Sequence, residues 1–195
     1  MSKVAVIYWT GTGNTQQMAN AVAEGAQSSG ADVSTFFVDE FDAGTVGEYD
    51  AFAFGCPAMG SEVLEEGSFE PFFTSIEGSL GGKKTGLFGS YGWGDQSWMR
   101  DWESRVEADG AVLVSQGVTC MNEPDDTALE ECRNLGASLS CTYRYIDSIC
   151  RYGTWCHART FCQEYGQFCY RKDTDGTFSR YHAGGIYLES VDSFS

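Results

Sequence analysis

Short apolar runs alternate with helix-like stretches along the first 140 residues, and this alternation leaves few folds open. Val4-Ala5-Val6-Ile7-Tyr8, Val33 to Val38, Ala51-Phe52-Ala53-Phe54-Gly55, Thr85 to Gly89 and Ala111 to Val114 each read as a short buried strand. Helical spacing recurs between them. Met18, Ala21, Val22, Gly25 and Ala26 share one face, and Trp98, Trp102 and Val106 share another. Ala128, Cys132, Leu135, Gly136 and Leu139 form a third. A further helix is expected over Phe69 to Ser79. The last helix should start near Pro124-Asp125-Asp126, with proline in its first turn and acids at its positive end. Strands alternating with helices build a parallel sheet covered on both faces. Such a doubly wound sheet takes its ligand beyond the carboxyl ends of the strands, where the strand order reverses.

The loops after the first, third and fourth strands are therefore read together. The first, WTGTGNT, offers the hydroxyls of Thr10, Thr12 and Thr15, the amide of Asn14, and the glycines Gly11 and Gly13. Free N–H groups at the start of the following helix attract anions. No lysine follows Gly13, so the Walker pattern is absent. Gln16 stands where a dinucleotide fingerprint needs its third glycine. A single terminal phosphate fits best, with an ordinary strand-to-helix turn as the alternative. The second loop, CPAMGSEVLEE, and the third, SYGWGDQSW, place Met59 and Trp93 beside glycines. Large flat or soft side chains in such loops suit a planar ligand covered on both faces. Core or surface packing is the alternative. A phosphate cradle and an aromatic cover together suit a mononucleotide with a large ring.

The motifs TGTGNT, GCPAMGSEVLEE and LFGSYGWGDQSWMRDWE, in this order and spacing, make residues 1–140 resemble a short-chain flavodoxin of the anaerobic bacterial type. The resemblance implies a five-stranded parallel sheet of order 2-1-3-4-5, for which flavodoxins are the type example. It also implies non-covalently bound FMN and a low-potential one-electron carrier with no catalytic acid, base or nucleophile. By position, Thr10, Gly11, Thr12, Gly13, Asn14 and Thr15 are expected to hold the FMN phosphate. Pro57, Ala58, Met59, Gly60, Ser61 and Glu62 are expected to border the ring, with Glu62 accepting from its imide. Ser90, Tyr91, Gly92, Trp93, Gly94 and Asp95 complete the site. Trp93 would stack on the outer face, and backbone donors near Tyr91 and Gly92 would meet a pyrimidine oxygen. The Gly60–Ser61 peptide is expected to turn its carbonyl to the ring on reduction. Glycine permits the positive φ that this requires. Some relatives have Ser at the place of Pro57 and Asp at that of Ser61. Pro57 removes one N–H and one hydroxyl from that loop.

Charge narrows the function further. The chain of 195 residues has a formal net charge of −16, all of it in residues 1–140, which hold 22 of the 28 acids and 6 of the 12 bases. Nucleic acid is an unsuitable partner for such a surface. Basic docking faces of redox enzymes, such as oxidoreductases that otherwise use ferredoxin, suit it. One carboxylate about 10 Å from an anionic flavin, at an effective dielectric of about 20, costs ~1.7 kcal/mol. That is on the order of 70 mV toward lower potential. The N-terminus MSKVAVIY is no signal peptide, and no apolar run approaches a membrane span. A cytoplasmic monomer without membrane attachment is the expectation. The rival is a flavin-dependent NAD(P)H or quinone reductase on the same fold. It needs an open ring face, which Met59 and Trp93 would block, and a second nucleotide loop. A receiver-type signalling domain needs acids where Tyr8-Trp9-Thr10 stand.

Residues 141–195 differ in kind. They carry five of the eight cysteines, both histidines and 12 of the 28 aromatics, and they are electrically neutral. Cys141, Cys150, Cys156, Cys162 and Cys169 lack metal-ligand and haem-attachment spacing. A zinc site from Cys150, Cys156, His157 and Cys162 is a minor alternative. No helical or strand period stands out. The expectation is a Cys- and aromatic-rich extension that is dispensable to the flavodoxin-like part, with partner docking as its alternative role.

Overall fold

The computed structural model describes residues 1–140 and, as backbone, three strands within the C-terminal segment. The chain divides into two compact units, Met1–Cys141 and Thr142–Ser195. In the first, β1 (Lys3–Tyr8), β2 (Asp32–Phe37), β3 (Ala51–Gly55) and β4 (Lys84–Tyr91) form a parallel sheet of order β2-β1-β3-β4. The expected fifth strand is split. β5 (Val112–Leu113) pairs with the start of β4, and β6 (Val118–Met121) pairs with its end. Ser115-Gln116-Gly117 breaks the edge between them, so the single run read at Ala111 to Val114 covers only the first half. The order is thus 2-1-3-4-5, as the resemblance implied.

Both faces of the sheet are buried because the strands alternate inward residues on each side. Val4 and Val6 face a core with Met18, Val22, Cys132, Leu135 and Leu139. These come from α1 (Asn14–Ser28) and α4 (Asp126–Ser140). Ala5 and Ile7 face the other core, with Phe52, Phe54, Phe69, Phe73, Trp98 and Trp102. There α2 (Phe69–Ile76) and α3 (Ser97–Ala108) cover the sheet. The helix expected to Ser79 ends its α part at Ile76 and tightens into a 3-10 turn over Glu77–Ser79. Pro124 lies ahead of α4 rather than in its first turn. The cap is Asp125, whose carboxylate accepts the Ala128 N–H at 2.8 Å.

The second unit has an antiparallel meander of β7 (Phe168–Lys172), β8 (Phe178–His182) and β9 (Tyr187–Val191). The sequence reading saw no strand period there. Cys141, Cys150, Cys156, Cys162 and His157, with the zinc reading of them, lie outside the described residues. Among the described residues, no helix is long and apolar enough to cross a membrane, and no cluster of side chains is suited to a metal ion.

Candidate functional site

The three loops read from the sequence leave the same edge of the sheet. β1 pairs with β3 and β3 with β4, so the loops emerge side by side. Backbone bonds extend the pairing beyond the strands: Trp9 N–H to the Gly55 carbonyl, Ala58 N–H to Ser90, and Asn122 N–H to Tyr91, at 2.8–2.9 Å. All the candidate residues, Thr10 to Thr15, Pro57 to Glu62 and Ser90 to Asp95, therefore lie in neighbouring segments.

The first loop ends in Gly13, whose φ of 94° opens α1 without any side-chain cap. No acid occupies the first turn, so its N–H groups and the positive helix end remain available to an anion. Gly13 N–H donates to Thr10 Oγ1 at 2.9 Å. That bond closes the loop and leaves the Thr10 hydroxyl proton free to donate. Thr15 is fully buried, and its Oγ1 has no hydrogen-bond partner. A buried hydroxyl without a partner is costly, and a phosphate oxygen would satisfy it. The loop thus fits a phosphate without a metal.

The second loop folds back on itself. Met59 and Val63 exchange two backbone hydrogen bonds, at 2.9 and 3.0 Å. The three residues between them turn through Gly60 at φ 50° and Glu62 at φ 58°. Glu62 caps α3: its Oε2 accepts the hydroxyl of Ser97 at 2.6 Å and the Ser97 N–H, and its Oε1 accepts the Gln96 N–H at 3.2 Å. The Ser97 hydroxyl foremost, then these N–H groups, holds the Glu62 carboxyl below the usual carboxylate range. Any side chain on Gly94, at φ 98°, would overlap that carboxylate. Further along, Glu65 is opposed by its partial burial, yet it stays ionised below the ordinary range. The N–H groups of Phe69, Ser68 and Gly67 outweigh that cost.

The third loop raises Trp93 into solvent, 64% exposed. Asp95 beside it pairs with Arg100 at 2.9 Å, and that guanidinium lowers its carboxyl range. Ser90 is buried and Tyr91 half-buried. The exposed indole and the uncapped start of α1 both belong to segments at the carboxyl edge of the sheet. The sequence reading missed Gln96, Ser97 and Thr119. None has a distinctive type or spacing, and only the fold brings Thr119 of β6 to Gln96.

The comparisons agree with this geometry. The flavodoxin family model matches residues 6–136. The chain belongs to the flavodoxin family. The flavodoxin of Clostridium beijerinckii is 45% identical over 135 residues, 69% of this chain and 97% of its own length. That of Megasphaera elsdenii is 46% identical over 133 residues, 68% of this chain and 95% of its own. The solution structure of two-electron reduced Megasphaera elsdenii flavodoxin superposes with a TM-score of 0.65 at 44% identity, over 70% of this chain and 98% of that one. As a flavodoxin the chain is an FMN-binding electron carrier rather than an enzyme, and the reductase alternative falls away. The C-terminal remainder has no counterpart in these relatives.

Proposed function

We propose that the chain is a low-potential, one-electron shuttle between redox enzymes, with FMN held non-covalently at the carboxyl edge of the sheet. When bound, FMN accepts and releases electrons one at a time. The observation that carries the site assignment is the buried, unpartnered Thr15 hydroxyl beside the uncapped start of α1. Thr10, Gly11, Thr12, Gly13, Asn14 and Thr15 bind the phosphate. Pro57, Ala58, Met59, Gly60, Ser61 and Glu62 line one side of the ring. Ser90, Tyr91, Gly92, Trp93, Gly94 and Asp95 line the other. The Gly60 carbonyl would accept a hydrogen bond from a ring N–H, and the glycine turn would let it face the ring.

The distribution of charge supports the low potential and the choice of partner. In residues 1–140 the three lysines are Lys3, Lys83 and Lys84, and they stand at the amino ends of β1 and β4, away from the site. Arg100, Arg105 and Arg133 each pair with carboxylates. Glu62, Asp95, Glu123, Asp125 and Asp126 belong to the segments at the carboxyl edge. Of these only Asp95 has an ion-pair partner among the described residues, Arg100; an anionic ring beside the net negative edge is held at lower potential, and a partner with a basic face is steered there. The protein acts as a cytoplasmic monomer, without nucleic acid or membrane.

A reductive titration of the protein loaded with FMN tests this reading. The expected results are one FMN per chain and two separated one-electron steps. Steady NADPH oxidation by the isolated protein, or a single two-electron step, would overturn it. Residues 141–195 are a Cys- and aromatic-rich extension dispensable to this function. Deleting them should leave FMN affinity and both potentials unchanged, and loss of FMN would show the extension to be functional.

A further inference from the structure

Gln96 meets three parts of the site at once. Its N–H donates to Glu62 Oε1 at 3.2 Å, in the loop after β3. Its Nε2 donates to the Tyr91 hydroxyl at 3.0 Å, at the end of β4. Its Oε1 accepts the Thr119 hydroxyl at 3.0 Å, from β6. All three contacts are partly buried. Yet Gln96 sits in left-handed backbone, at φ 67°, where a side chain is disfavoured and glycine would rest without strain. Such residues persist where their surroundings over-determine them, and they gather at ligand clamps. The compensation here is the side-chain amide, whose two ends are both bonded. Those bonds bracket Gly92–Asp95, the exposed stretch that carries Trp93.

We infer that Gln96 is a positioning residue, a latch that ties the Trp93 loop to β6 through Tyr91 and Thr119 and so slows the escape of bound FMN. The inference rests on the reading above, in which this loop covers the flavin ring. Gln96 transfers no proton and no electron. Its length is what matters: the amide must reach both hydroxyls from the residue that precedes α3. Asparagine tolerates left-handed backbone better but is one methylene shorter. Val118 and Cys120, the neighbours of Thr119, are buried in the core, so Thr119 alone on that strand offers its hydroxyl to the loop.

The test uses the full chain and four variants, Gln96→Gly, Gln96→Asn, Thr119→Val and Thr119→Ser. Three quantities are read: FMN release by the recovery of flavin fluorescence, amide hydrogen exchange at Gly92–Asp95 without FMN, and the thermal midpoint. Gln96→Gly and Gln96→Asn relieve backbone strain, so the midpoint should hold or rise. The loop amides should nevertheless exchange faster, and FMN should leave about fivefold faster, the scale of one net hydrogen bond. Thr119→Val should act in the same direction with a smaller change, and Thr119→Ser should restore both rates. Unchanged exchange and release in Gln96→Gly and Thr119→Val would overturn the latch. So would faster release that merely follows a falling midpoint, or looser amides with unaltered FMN release. A failure of the underlying reading is distinct: in the unaltered protein, FMN would then fail to slow exchange at Gly92–Asp95, and the latch would fall with it.

Discussion

The phosphate end and the ring end of the site are held by different means. At the first, one loop is closed by one internal bond, Gly13 to Thr10, and opens a helix whose start has no side-chain cap. At the second, two loops and an edge strand are tied by side chains: Glu62 to Ser97 and Gln96, and Gln96 to Tyr91 and Thr119. Two non-glycine residues there, Glu62 and Gln96, sit in left-handed backbone. The phosphate end relies on backbone dipoles that exist before any ligand arrives. The ring end relies on a network that must be kept in register. One end should therefore govern affinity, and the other should govern potential and release.

The largest expected effect tests the phosphate end. Riboflavin, which lacks the phosphate, should bind more weakly than FMN by roughly 3 kcal/mol or more, since several charge-assisted bonds are lost together. Thr15→Val should weaken FMN by about 1.5–3 kcal/mol, the range for a hydrogen bond to a charged group. The same change should leave the FMN-free protein as stable as before or more so, because it removes a buried hydroxyl with no partner. Titration and thermal melting of the two proteins check this. Equal affinity for FMN and riboflavin would remove the phosphate assignment.

The ring end comes next. Trp93→Ala should weaken FMN by roughly 1–3 kcal/mol, the scale of a large aromatic contact. It should barely change the stability of the FMN-free protein, because the indole is mostly exposed. A matching loss of stability would mean that Trp93 packs rather than covers a ring. Gly60→Thr should behave differently again. A Cβ there meets no atom within 4 Å, so only the φ of 50° opposes it. A β-branched residue in that conformation costs about 1–2 kcal/mol. If the peptide must turn on reduction, the first-electron potential should fall by roughly 40–90 mV. The affinity for oxidised FMN should change little. Spectroelectrochemistry separates the two, and an unchanged potential would end the peptide-turn idea.

The same contrast explains what was legible in the sequence. β1 and β3 are nearly continuous apolar runs because both of their faces are buried, so their pattern survives without context. The TGTGNT loop is legible for a similar reason: backbone does the binding, and glycine with hydroxyls is its signature. β6 was not legible, because an edge strand as short as Val118–Met121 buries only alternate residues. The Gln96–Thr119 bond joins residues 23 apart in sequence, and neither type announces a partner. Glu62 was read as a ligand contact from the resemblance, while its capping of α3 needed coordinates. Strands β7–β9 follow a stretch whose composition carried no period.

The smallest expected effect concerns Glu62, and pH exposes it. Its carboxyl is held below the ordinary value of 4.5, first by the Ser97 hydroxyl and then by the N–H groups of Ser97 and Gln96. A carboxylate with a depressed folded-state range stabilises above its unfolded value, and that contribution is lost as pH falls through the folded value. The FMN-free protein should therefore lose part of the tie between the second loop and α3 on acidification below about pH 4.5. Glu62→Gln keeps one acceptor oxygen and cannot ionise. At pH 7 its thermal midpoint should lie lower by only about 1–3 °C, since the half-buried carboxylate is still screened by solvent. The gap should narrow as pH drops, because protonated Glu62, like glutamine, is then neutral with one carbonyl acceptor. Glu65 is depressed in the same direction, but it remains in the variant and cancels from the difference; Asp95 interacts with Glu62 and shares in the change. Melting curves of the two proteins between pH 3 and pH 7 decide it. A gap that stays constant across this range would show that charge plays no part in the tie. The ring end would then rest on Gln96 and its two hydroxyl partners.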